Sequence, residues 1–107
     1  MKLYFLRHGL AAERDEWYSA PCNGAPLHGD DAQRPLTEEG KRRMAREAAT
    51  LARLNLALDR IITSPLVRAV QTAEIVAQAL KLQERLVQDE RVAFMNVERL
   101  KDILLEN

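Results

Sequence analysis

The sequence predicts an α/β fold, a three-layer α/β/α arrangement around a mainly parallel sheet, and two observations carry that expectation. Short apolar or β-branched runs alternate with stretches of helical spacing in the order βαβαβα, and such alternation implies parallel strands joined by right-handed helical crossovers. The polar junctions Arg7-His8-Gly9 and Thr63-Ser64-Pro65 close the first and second of those runs. Both therefore open on one edge of the sheet, beyond the carboxyl ends of the strands, where such sheets bind ligands.

Each element has its own warrant. Leu3 to Leu6 is a short continuous apolar run, the pattern of a strand buried on both faces. From Ala11 to Leu36 the chain gathers Pro21, Gly24, Pro26, Gly29 and Pro35 without any period, which predicts a long loop. Thr37 offers a side-chain oxygen to the first amides of a helix, and Glu38 and Glu39 sit where the helix dipole favours negative charge. Met44, Ala48, Leu51 and Ala52 follow at helical spacing and carry that helix toward Leu54.

Asp59 to Thr63 predicts a second strand, with Asp59 and Arg60 as its exposed entry. Ser64 and Pro65 then read as the cap and first-turn proline of another helix. Ala69, Ala73, Val76, Ala77 and Leu80 form its buried stripe. A third strand is expected over Arg85 to Gln88, and a last helix with Val97, Leu100, Ile103 and Leu104 inward.

Composition narrows the function classes. A chain of 107 residues, 47% apolar and 30% charged, fits one compact domain over residues 1–107 and excludes disordered and low-complexity readings. Sixteen basic side chains balance sixteen acidic ones, so no general field draws the chain to nucleic acid or to a membrane, and neither is expected as a partner. The densest basic cluster, Lys41, Arg42, Arg43 and Arg46, is interleaved with Glu38, Glu39 and Glu47 and reads as a solvated helix face. A single cysteine, Cys22, excludes an intrachain disulfide and a cysteine-based zinc site and fits a reducing compartment. A cytoplasmic location is the expectation. The apolar run at the start is too short for a signal peptide, and no run approaches the roughly 18 to 20 apolar residues of a membrane span.

At the predicted ligand edge, Arg7 and His8 leave one strand side by side, followed by Gly9, which lets the backbone turn closely under a ligand. Arg68 arrives from the first turn of the helix that follows Ser64 and Pro65. Two guanidinium groups, a helix amino terminus and a hydroxyl make a site for a tetrahedral dianion such as phosphate. Flanking positive charge lowers an imidazole pKa, so a neutral His8 there is a nucleophile for phosphoryl transfer. Ser64 is first a helix cap and second a phosphate contact. Arg34 divides between pinning the loop to the helix start and a place in the pocket. Trp17 and Cys22 read as a loop anchor and a buried thiol.

Leu6-Arg7-His8-Gly9, then Arg34-Pro35-Leu36-Thr37-Glu38-Glu39-Gly40, then Thr63 through Glu74 resemble the histidine phosphatase superfamily, which includes the cofactor-dependent phosphoglycerate mutases. The second segment and the short spacing are most similar to phosphohistidine phosphatases of the SixA type. The resemblance implies a phosphoglycerate mutase-like fold. It implies that His8 accepts the phosphoryl group covalently, that Arg7 and Arg68 hold it, and that water hydrolyses the phosphoenzyme. Gly9, Arg34 and Ser64 complete the expected phosphate contacts. No metal or organic cofactor is implied, and the implied partner is a protein carrying phosphohistidine.

Two departures accompany the resemblance. The family supplies a second pocket histidine from a later strand, whereas this sequence holds only His8 and His28 and stops at Asn107. His28, in the loop leaving the ligand edge, is the candidate replacement, against the plainer reading of a solvated loop histidine. The position of the glutamate proton donor found in mutases is taken by Phe94, as SixA-type members also lack that acid. A departing imidazole, with a pKa near ~6.5, needs less protonation than an alkoxide, which favours phosphohistidine over sugar phosphates. The rival expectations are a general phosphomonoesterase of the same superfamily and a non-catalytic phosphate-binding module. The chain is expected to represent the amino-terminal part of the fold and to leave a sheet edge open to truncation or self-association.

Overall fold

The computed structural model describes residues 3–6, 9–12, 31–93 and 96–106. Along them run helix α1 (Glu38–Arg53), strand β1 (Ile61–Thr63), helix α2 (Val67–Leu80), strand β2 (Leu86–Gln88) and helix α3 (Val97–Glu106). Short 3-10 turns lie at Asp31–Gln33, Gln83–Arg85 and Glu90–Val92. β1 and β2 pair in parallel, with Ile61 opposite Leu86 and Thr63 opposite Gln88, so β1, α2 and β2 form the expected crossover unit. No described helix is long and apolar enough to cross a membrane.

α1 begins where the sequence places it. The Thr37 hydroxyl accepts a hydrogen bond from the Gly40 amide at 2.9 Å, and Glu38 and Glu39 occupy the first turn. On its outer face Arg43 pairs with Glu39 at 2.8 Å and Lys41 with Glu38 at 3.3 Å, so the basic cluster is solvated, as its interleaving predicts. Asn55, just past the helix, has a positive φ of 50°, a conformation that asparagine tolerates better than most residues.

The core is small and lies between α1 and α2. Met44, Ala48 and Val76 form its centre, with Leu51, Ile61, Ile75, Ala79 and Leu80 packed around them. Ala48 and Ala77 are fully covered, and their short side chains fit where two helices approach closely. Burying an apolar side chain of the size of Met or Val contributes about 1.5–3 kcal/mol, so this cluster is the main apolar bond between the helices.

Several expectations change on folding. Leu3 to Leu6 do not form a strand; all four side chains are exposed, Phe5 at 75%, and the sheet among the described residues has two strands. A groove of about 560 Å³ separates this run from β1 and α2, with Ile61, Ile62, Ala69 and Ala73 along its far wall. An apolar run predicts burial, but a strand also needs a neighbouring edge at roughly 4.8 Å, and the groove stands in that place. The second and third strands are shorter than expected, because Asp59 and Arg60 lie before β1 and Arg85 belongs to a 3-10 turn.

Ser64 and Pro65 do not start α2. The helix begins at Val67, with Leu66 at the cap and no side-chain cap bond. Ala69 and Leu80 are half-buried rather than buried, while Arg68 and Thr72 are buried. The helix ends on Lys81 in the left-handed region, and the Leu82 amide reaches back to the Ala77 carbonyl at 2.8 Å, a Schellman-type ending achieved without glycine. In α3, Ile103 is buried and Leu100 and Leu104 half-buried, but Val97 is 69% exposed, because it stands in the first turn, before the helix reaches its packing partners.

The end of β2 is tied to the end of α3 through one arginine. Beyond the ladder, the Asp89 amide donates to the Thr63 carbonyl at 2.8 Å. The Asp89 carboxylate accepts from the Arg91 amide at 3.0 Å, from Nε at 2.9 Å and from Nη2 at 2.6 Å. Arg91 Nη1 also donates to Glu106 Oε1 at 3.0 Å. The side-chain and backbone hydrogen bonds from Arg91 hold the Asp89 carboxyl down at about 2, and the side-chain bond from Arg91 holds Glu106 below its usual range.

A carboxyl depressed in the folded state contributes stability above its ordinary value, near 3.8, and loses it as pH falls through about 2. Asp89→Asn is therefore expected to lower the thermal midpoint at pH 5–7, with the gap to the parent chain closing as pH approaches 2. Thermal unfolding of both proteins across that range checks it; a gap independent of pH would mean that the ion pair does not titrate with folding.

Candidate functional site

Two helix amino termini lie close in sequence to the expected ligand edge, and they differ in charge. That of α1 is neutralised from within: Thr37 caps it and two glutamates stand in its first turn. That of α2 has no side-chain cap and no acidic residue in its first turn, and instead carries Arg68 there, 8% exposed. A cation in the first turn opposes the helix dipole, and burial removes the water that would screen it. Helix amino termini are general anion-binding positions. Thr63 and Ser64, at the carboxyl end of β1, are buried beside the start of this helix at 6% and 5% exposure. The Thr63 hydroxyl donates to the Ser64 carbonyl at 3.1 Å.

Opposite α2 runs the short stretch 9–12, held at several points. Ala11 bridges Leu36 in antiparallel fashion, the Ala12 amide donates to the Pro35 carbonyl at 2.9 Å, and the Thr37 amide donates to the Leu10 carbonyl at 2.9 Å. Arg34 Nη1 donates to the Ala12 carbonyl at 2.9 Å. The ends of the long loop are thus closed against each other directly before α1.

α2 then grips both strands of this bridge with consecutive side chains. Gln71 Oε1 accepts from the Leu36 amide at 2.7 Å, and the Thr72 hydroxyl oxygen accepts from the Gly9 amide at 3.0 Å. Gly9 is packed so tightly that a β-carbon there would come within 2.6 Å of Met44 Cγ.

Of the residues singled out in the sequence, Ser64 is buried just before α2 and Arg68 is buried in its first turn, and Gly9 is bonded one helical turn along from Arg68. Arg34 makes the loop-pinning contact. Arg7, His8, Trp17, Cys22, His28 and Phe94 lie outside the described residues. No cluster of three or more histidine, cysteine, aspartate or glutamate side chains suited to a metal occurs among the described residues. Sequence reasoning missed Gln71 and Thr72 as site-building residues. Their spacing of three and four from Arg68 places all three on one helix face, and that was the available signal.

Comparison with known proteins finds matches over most of the chain. The family model described as histidine phosphatase superfamily (branch 1) matches residues 3–103. A protein of Picosynechococcus sp., described as uncharacterized, is 44% identical over 79 residues, which is 74% of this chain and 41% of that protein. Among solved structures, a protein histidine phosphatase SixA in complex with tungstate is similar with a TM-score of 0.71 at 26% identity, over 94% of this chain and 57% of that one. The SixA of Agrobacterium tumefaciens matches with a TM-score of 0.68 at 22% identity, over 94% and 57% of the two chains. That second likeness, below a quarter identity, speaks to the fold alone. The α/β expectation thus holds as the phosphoglycerate mutase-like fold of these neighbours, of whose length the chain spans little more than half.

The bridge explains why glycine stands at position 40. A β-carbon there would overlap the Leu10 carbonyl oxygen, the same atom that accepts from the Thr37 amide and hydroxyl. Helix propensity alone favours Gly40→Ala by about 0.8–1 kcal/mol. The clash is expected to reverse that sign, with a net loss of about 1–3 kcal/mol as for other overpacked sites. Chemical denaturation measures it, and a more stable Gly40→Ala protein would show that the Leu10 carbonyl yields freely.

Proposed function

The chain belongs to the histidine phosphatase superfamily, and on that footing we propose that it is a phosphatase acting on protein phosphohistidine through a covalent intermediate on His8. The observation that carries the reading is Arg68: a buried guanidinium in the first turn of a helix that has no side-chain cap and no acidic residue in that turn. Tungstate, bound in the SixA structure at 26% identity, is a tetrahedral oxyanion of the same charge class as phosphate, and it supports an oxyanion as the ligand here. Cytoplasmic residence follows from the same reading.

The chemistry balances in two steps. A neutral His8 ring nitrogen attacks phosphorus; the phosphorus–nitrogen bond of the substrate breaks, and the departing imidazole takes up a proton. Water then attacks the phosphorylated His8, releasing inorganic phosphate and regenerating the imidazole. Arg7 and Arg68 neutralise the equatorial oxygens throughout, the Gly9 backbone and Ser64 line the phosphate position, and Arg34 fixes the loop beside it. No metal or organic cofactor enters the scheme.

Incubation with a phosphohistidine protein is expected to leave label on His8, absent in His8→Ala. Arg68→Ala is expected to lose about 3–4 kcal/mol of transition-state stabilisation, read from kcat/KM. Turnover of sugar phosphates in preference would select the general phosphomonoesterase, and oxyanion binding without any phosphoenzyme would select the non-catalytic module.

The exposed Leu3–Leu6 run beside the groove extends the proposal to self-association. Donor run and acceptor groove sit on the same chain, so two copies can exchange them reciprocally, and a net charge of zero does not oppose their approach. Sedimentation equilibrium is expected to give a dimer mass that Phe5→Lys reduces to the monomer; a parent chain that stays monomeric overturns it.

A further inference from the structure

We infer that Thr72 is a positioning residue for the proposed reaction, setting the distance between the two sides of the phosphate site through one hydroxyl. Its hydrogen is donated to the Arg68 carbonyl at 2.8 Å, and its oxygen accepts from the Gly9 amide at 3.0 Å. The side chain is 3% exposed, so water does not compete for either bond. One atom therefore joins the turn of α2 that carries Arg68 to the residue next in sequence to His8.

The pairing needs a hydroxyl at this position. Serine keeps the donor and acceptor but loses the methyl group that restricts χ1. Valine keeps the shape and loses both bonds, leaving the partly buried Gly9 amide without its acceptor on α2. The hydroxyl is engaged by two backbone groups, the Gly9 amide and the Arg68 carbonyl. It acts through where Gly9 sits, with the Met44 and Leu36 side chains on the side a β-carbon would occupy. Phosphoryl transfer depends on the alignment of nucleophile and anion holder, and a displacement of about 1 Å can cost about a hundredfold in rate.

This inference rests on the phosphatase reading above, and the test separates the two. In the parent chain, amide hydrogen exchange is expected to show Gly9 protected together with the α2 amides. In Thr72→Val the Gly9 amide is expected to exchange faster while Ala48 and Ala77 stay protected, and in Thr72→Ser it is expected to remain slow. With phosphohistidine protein as substrate, Thr72→Val is expected to lower kcat about tenfold to a hundredfold with KM little changed, and Thr72→Ser to restore most of it.

An unprotected Gly9 amide in the parent chain would overturn the inference even if Thr72→Val fails to fold. So would equal kcat losses in the valine and serine variants, because serine keeps the hydroxyl that makes both bonds. A parent chain without turnover overturns the phosphatase reading alone, and the exchange of Gly9 then decides the role of Thr72.

Discussion

The antiparallel contact between residues 9–12 and 35–37 organises the region around the candidate site, since it joins three parts of the chain that have no helix or strand in common. Its backbone bonds run in both directions, Ala12 to Pro35 and Thr37 to Leu10, and Gln71 and Thr72 fasten it to α2 from the side. Each bond is worth only about 0.5–1.5 kcal/mol net. Their value lies in satisfying backbone groups that the fold has partly withdrawn from water, where an unmet donor or acceptor costs about 1–3 kcal/mol. The contact also explains the segment from Arg34 to Gly40 as a mechanical unit: a guanidinium that pins Ala12, a cap that starts α1, and a glycine that admits the Leu10 carbonyl.

The two helix ends are built differently. α1 supplies its own cap and its own negative charge, so nothing from outside is needed there. α2 supplies neither and adds a buried arginine. A stability criterion alone would favour serine or aspartate at the start of α2 and an acid in its first turn. The departure from that rule is the signature expected of a site, because local choices that conflict with stability persist where function requires them. Ser64, which reads as the cap, falls two residues short of that role, before Leu66, and is left as a buried polar group ahead of the start of α2.

At the carboxyl end of β2, next to Thr63, Arg91 does for α3 what the 9–12 contact does for α1. Its planar fork engages Asp89 through two donors and reaches Glu106 on the last turn of α3, a geometry that lysine does not reproduce. The result is a helix end tied to a strand end by charge-assisted bonds, with little apolar burial: within α3 only Ile103 is buried. This peripheral element therefore depends more on pH and salt than the α1–α2 core does.

The sequence by itself determined what depends on neighbours along the chain. Periodicity located α1 and α3, capping chemistry fixed Thr37, β-branched content found β1, and the order of motifs placed the chain in its superfamily. Tertiary structure decided what depends on distant groups. It left Leu3–Leu6 unpaired, because an apolar run becomes a strand only where a second edge meets it. It moved the start of α2 from Ser64 to Val67, and it gave Gln71 and Thr72 their partners at Leu36 and Gly9, 35 and 63 residues away in sequence. Arg68 was legible as a cation in a first turn, but its burial was not, since burial is a property of what packs over a residue and not of the residue itself.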